Sequence, residues 1–155
     1  NPKKLYHVLD TYGSFAKPIH ISEIGIPSQI SDEIDEDLQA KAVENLYKVC
    51  FSHKNVEGLV WWNLPDDGVL TQKRATENLP STGLLDADYH EKKAYQVLNG
   101  LINNKWRTNL TVSSQEKSYI TFRGFYGMYD IYVNGKKVGD LHLSKDGLDE
   151  FIVEA

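Results

Sequence analysis

The chain is poor in sulfur and has no long apolar run. Its 155 residues hold a single cysteine, which excludes an internal disulfide and gives no ligand set for a structural zinc. No hydrophobic stretch approaches the ~20 residues of a membrane-spanning helix. Positive charge is also short: 17 Lys and Arg stand against 22 Asp and Glu, a net charge of −5. That balance argues against nucleic acid and anionic membranes as partners. Lys136-Lys137 is too short for a basic patch and reads as a guard on an edge strand. The sequence carries no phosphate-binding glycine loop, no metal-ligand cluster and no internal repeat. No metal or cofactor is expected.

What the chain does have is a carboxylate in an unusual place. Pro18 to Ser28 reads PIHISEIGIPS, a short apolar strand followed by a loop containing Gly and Pro. Strict alternation would put Ile19, Ile21 and Glu23 on one face and His20 and Ser22 on the other. His20 then points toward a covering helix, in a hydrogen-bonded structural role. Glu23 sits at the rim of a core, where an unpaired charge costs several kcal/mol. In parallel (β/α) barrels, the C-terminal strand ends are where catalytic side chains emerge.

The flanking segments supply the rest of a parallel layer. Leu5, Val8, Leu9 and Tyr12 recur at helical spacing, and Gly13 follows as a C-cap. The acidic run Asp32 to Asp37 suits the positive end of a helix dipole. Leu38, Ala42, Leu46 and Val49 then form an apolar stripe, with Cys50 beside it as a buried thiol. In GLVWWNLPDD, Val60 and Trp62 share one face and Leu59 and Trp61 the other. Apolar residues on both faces fit a parallel strand covered by helices. After a loop from Asp66 to Pro80, residues Ala94, Val97, Leu98, Leu101 and Ile102 mark a third helix. The order helix, strand, helix, strand, helix contains one right-handed βαβ unit.

Three of these segments, in this order and spacing, resemble the last two β/α units of glycoside hydrolase family 10, the endo-1,4-β-xylanase family. IHISEIGIPS is similar to the strand carrying the family's catalytic nucleophile, a role that maps onto Glu23. FSHKNVEGLVWWNLPDD resembles the final barrel strand, with Trp62 at the position of the tryptophan that closes over the sugar. Trp61 and Asp66 flank it as further substrate-binding candidates. GLLDADYHEKKAYQVL resembles the closing signature through Leu84, Leu85, Asp86, Tyr89, Lys92, Ala94 and Tyr95. The resemblance covers residues 1–106 and implies a retaining glycosidase acting on a β-1,4-linked, xylan-like plant polysaccharide or its oligosaccharides. It also implies a bacterial protein that is secreted, periplasmic or on the cell surface. Departures are visible as well. Gly25 stands where many members carry an acid, Asn63 replaces a glycine, and no second tryptophan follows Asp66.

A complete barrel takes about 250 residues, so this chain reads as its C-terminal part, with two of eight strands. A retaining glycosidase needs two carboxylates about 5–5.5 Å apart. The resemblance places the acid/base on an earlier strand, and the spacing of Asp66, Asp67 and Asp86 does not mark any of them as a substitute. The chain alone is therefore expected to be inactive. It is also expected to self-associate through a bare sheet surface carrying Ile19, Ile21, Val60 and Trp62.

From Arg107 onward the pattern changes to short alternating runs with turns. Asn134-Gly135 is a two-residue hairpin signal, and Lys145-Asp146-Gly147 marks another turn. Residues 107–155 read as a small antiparallel β-sandwich-like module. The predicted class is thus α/β plus all-β: the C-terminal part of a (β/α)8 TIM barrel followed by that module. Tyr119, Phe122, Phe125, Tyr126, Tyr129 and Tyr132 either fill its core or give sugar rings a stacking platform. His7 and His53 read as surface or turn residues. A second functional class stays open, a non-catalytic carbohydrate-binding or adhesion protein built on the barrel relic and the module.

Overall fold

The computed structural model describes residues 1–30, 33–66, 81–114, 119–145 and 150–152. Asp67 and the turn residues Asp146 and Gly147 lie outside the described residues. The chain forms two compact units, Asn1–Leu101 and Ile102–Ala155.

The first unit opens with helix α1 (Pro2–Gly13), whose N-cap Asn1 accepts from the Lys3 and Lys4 N–H groups. Proline is tolerated there because that N–H has no helical partner. Strand β1 (Ile19–Ile24) follows, then the two-residue strands β2 (Gln29–Ile30) and β3 (Glu33–Ile34), which pair antiparallel. Helix α2 (Glu36–Ser52) starts from Asp35, whose side chain accepts from the Leu38 N–H, and carries Glu36 and Asp37 in its first turn. Both features favour this end of the helix dipole. Strand β4 (Val56–Trp61) lies parallel to β1, with Ile21 opposite Leu59 and Ile24 opposite Trp61. Helix α3 (Lys93–Gly100) runs on into a π-helical turn, Leu101–Lys105.

A core of Leu9, Leu46 and Cys50 lies between helices and sheet, and Ile19, Ile21, Ile24, Val56, Leu59 and Trp61 pack against it. Ile19 and Ile21 thus lie on the helix-covered face, not on a bare sheet surface. The buried residues of α2 are Gln39, Ala40, Val43, Leu46 and Cys50; of the expected stripe, Leu46 is in the core and Val49 packs against it, while Leu38 is 48% exposed. Gln39 draws the helix inward because its side-chain amide donates to the carbonyls of Ile26, Ser81 and Gly83. His53, expected at the surface, is buried at 3% exposure and packs edge-on against Tyr6. Its ring accepts from the Asn55 N–H and faces Asp10 at 3.4 Å.

In the second unit, strands β5 (Gly127–Val133) and β6 (Lys136–Leu143) form an antiparallel hairpin. Asn134 and Gly135 turn it with φ of 49° and 81°, the left-handed pair that a two-residue hairpin requires. Among the described residues this unit holds one two-stranded sheet and not the expected sandwich. Tyr129 packs edge-on with Phe122, while Tyr119, Tyr126 and Tyr132 are exposed.

Candidate active site

Glu23 and Trp62 emerge at the same, C-terminal, end of two adjacent parallel strands. The Trp62 N–H donates to the Ile24 carbonyl at 2.8 Å, so the two segments stay bonded past the end of β4. Glu23 does not share a face with Ile19 and Ile21. The register slips between Ile21 and Ile24, and Ile24 takes the core-facing position, leaving Glu23 exposed. A slip of one residue moves a side chain to the other face. The carboxylate is therefore presented to solvent at the strand end and carries no burial penalty.

A second slip, between Ile19 and His20, sets His20 opposite Gly58. His20 keeps the face opposite Ile19 and Ile21, as alternation requires, but the helices cover the isoleucine face, so the expected helix-side placement of His20 is reversed. Its ring lies over Gly58 on the uncovered face, 3.7 Å from the Glu57 carboxylate, and both side chains are about two-thirds exposed. An ion pair so exposed contributes little to stability.

Residues 59–62 divide as alternation requires. Val60 is 54% exposed and Trp62 40% exposed on the open face. Trp61 is on the helix-packed side, tilted against Tyr47 with ring centroids 6.4 Å apart, and its indole N–H donates to the Thr82 carbonyl. That placement commits Trp61 to packing. Burial pushes the Tyr47 hydroxyl above its usual range, with Cys50 adding to the effect, and burial likewise raises the Cys50 thiol.

Asp66, expected beside Trp62 as a sugar ligand, has both oxygens in use. Oδ1 accepts from the Gly83 N–H at 2.7 Å, and Oδ2 pairs with the Lys92 ammonium at 2.9 Å. Lys92 is 3% exposed. Its ammonium also donates to Ser28 Oγ at 3.2 Å and to the Ser81 carbonyl at 3.0 Å. This four-membered cluster ties the loop after β1 and the loop after β4 to the segment 81–85. Leu84 and Leu85 donate to the Leu64 carbonyl, and Asp66 donates to that of Leu85. The segment lies so close that a side chain at Gly83 would run into the backbone of Pro65 and Asp66. Gly25 has a similar reason to lack a side chain, since a Cβ there would stand 2.7 Å from the Trp62 carbonyl. Asp86 accepts from the His90 backbone N–H, which more than any other contact holds its carboxyl below the usual range.

Lys92 and Gln39 are the contributors that sequence reasoning passed over. A lysine at a helix start and a glutamine in an amphipathic helix both read as solvated. The one available signal was the place of Lys92 inside the closing signature, two residues before the buried Ala94.

The fold is similar to that of xylanase 10B of Thermotoga petrophila RKU-1, solved with xylobiose, at TM-score 0.56 and 19% identity over 68% of this chain and 32% of that one. Native xylanase 10B of Thermotoga maritima gives 0.56 and 20% over 68% and 33%. Xylanase B of Clostridium stercorarium F9 gives 0.50 and 14% over 63% and 32%. These likenesses speak for the fold: helices and parallel strands that match part of a TIM barrel. The anti-sigma-I factor RsgI6 of Acetivibrio thermocellus is 30% identical over 126 residues, 81% of this chain and 15% of that protein. The chain thus spans about a third of each xylanase and a smaller part of the curated relative. Residues 1–100 match the model of glycosyl hydrolase family 10, and on that match the chain belongs to this family.

Proposed function

We propose that this chain supplies the nucleophile side of a retaining glycoside hydrolase that cuts β-1,4-linked, xylan-like plant polysaccharide outside the cytoplasm. One observation carries the reading: Glu23 and Trp62 stand exposed at the same end of bonded parallel strands. A carboxylate there can attack an anomeric carbon while the indole face stacks on the sugar ring at the cleavage point. The reaction also requires a general acid about 5–5.5 Å from the nucleophile. Asp66 is held by Lys92 and Gly83, and Asp86 by His90, so neither serves. The acid comes from another barrel strand.

The test is hydrolysis of xylan and of an aryl β-xyloside. The 155-residue chain alone should give no turnover above buffer. A longer form carrying an upstream barrel strand with a glutamate at its end should be active, and Glu23→Gln should abolish that activity. Full activity with glutamine at position 23 would overturn the assignment.

A second reading is favoured by one relative. The RsgI6 match bears the name of an anti-sigma factor, and Gly25 leaves the nucleophile strand without the acid many family members have there. In this reading the same face recognises glycan without cutting it, as the sensing part of a regulatory protein. Binding of xylo-oligosaccharide without hydrolysis by the longer form would decide for it.

A further inference from the structure

We propose that Lys92 is a positioning residue for the sugar-binding face, setting the attitude of Trp62 by locking together the loops that follow β1 and β4. The inference rests on the reading of Trp62 as the residue that stacks on sugar.

A buried ion pair is weak evidence for stability, because apolar residues of similar volume often serve as well. What the ammonium alone can do is hold three acceptors on three separate segments. Ser28 belongs to the loop after β1, Asp66 to the loop after β4, and the Ser81 carbonyl to the segment covering both. The three donors of the lysine are matched by these three acceptors. Ser28 itself is 1% exposed and donates to the same Ser81 carbonyl, closing the ring.

Trp62 lies four residues before Asp66, between two anchors. At one side its N–H is bonded to Ile24; at the other, Leu64 and Asp66 are bonded to residues 83–85. The cluster around Lys92 fixes the second anchor relative to the first. Gln39 reinforces it from α2 by donating to Ile26, Ser81 and Gly83, while its own buried Oε1 has no hydrogen-bond partner among the described residues. The donated contacts aim the glutamine at the same loops, and at the Ser81 carbonyl that Lys92 also serves. Stacking affinity depends on the indole plane being fixed before the sugar arrives, so loosening the second anchor should weaken binding more than it alters secondary structure.

The experiment uses the whole chain labelled with 5-fluorotryptophan, read by fluorine NMR together with a xylohexaose titration. Three resonances are expected, for Trp61, Trp62 and Trp106, and Trp62→Phe assigns the Trp62 line by its disappearance. Lys92→Met should shift or broaden the Trp62 line and weaken xylohexaose binding about tenfold or more. Ser28→Ala keeps the charge pair but removes one acceptor, and should move the same line in the same direction by less. It serves if the methionine variant fails to fold. A folded variant whose Trp62 line and affinity match wild type, with only its melting temperature lowered, would overturn the proposal. Wild-type protein that does not bind xylohexaose would refute the sugar-binding reading instead, and the Trp62 line would still decide the role of Lys92.

Discussion

Gly25→Ala sets two effects of known sign against each other. Gly25 is not among the positive-φ glycines, so its backbone admits alanine. Through the unfolded chain alone the substitution should then stabilise by about 0.4–1 kcal/mol. Against this, the new Cβ would stand 2.7 Å from the Trp62 carbonyl, where ordinary contact begins at 3.4 Å, so the carbonyl must recede by about 0.7 Å. The neighbours resist that movement. The Trp62 N–H is bonded to Ile24 at 2.8 Å, and Thr82 already stands 3.4 Å from the new methyl. Overpacking of this kind costs about 1–3 kcal/mol. At the middle of the two ranges the steric term wins, for a net loss of about 1.3 kcal/mol. Urea unfolding followed by far-UV circular dichroism should show a lower midpoint at unchanged slope. An alanine variant as stable as wild type, or more so, would refute the close approach of Gly25 to Trp62.

His53→Ala should destabilise by about 1–3 kcal/mol, because it leaves the Asn55 N–H unmatched and opens space beside Tyr6; thermal unfolding reads it. Cys50, 2% exposed with its thiol pushed up by burial, should react with a thiol reagent at pH 8 only as fast as the protein unfolds. A thiol raised in the folded state contributes stability below its unfolded value of about 8.5, so alkaline conditions should progressively remove that contribution, and Cys50→Ala should lack this part of the pH dependence. Asp86 has the opposite sign: its carboxyl is held low by the His90 backbone N–H, so its contribution is present above about pH 4 and fades as pH falls further. Amide exchange at His90 should accelerate across that range, and Asp86→Asn should flatten the change.

The parallel layer was legible in the sequence because its cause is local and repeated. Leu59, Trp61, Val60 and Trp62 alternate without a polar break, as in a parallel strand covered on both faces. The facing of Glu23 and His20 was not legible. Glu23 turns with a register slip in β1, and a bulge leaves no mark in an alternation pattern; His20 keeps the face opposite Ile19 and Ile21, and alternation alone does not say which face the helices cover. The burial of Gln39 in α2 was missed for a different reason: it is held by carbonyls from loops 13 to 44 residues away in sequence. The role of Asp66 depended on Lys92, 26 residues further on, a pairing that spacing within a motif does not reveal. The hairpin at Asn134-Gly135 was readable because its turn chemistry lies in two adjacent residues. The packing around β5 and β6 was not, since aromatic content does not say which rings face inward.

The most direct test of the proposed glycan site is a map of where an oligosaccharide binds. Xylohexaose titrated into the isotopically labelled 155-residue chain should perturb the signals of Glu23, Ile24 and the Trp62 indole, while the helix-packed Trp61 indole stays in place and Trp62→Ala abolishes the shifts. Perturbations confined to β5 and β6, or none at millimolar sugar, would contradict the assignment of this strand end as the glycan site.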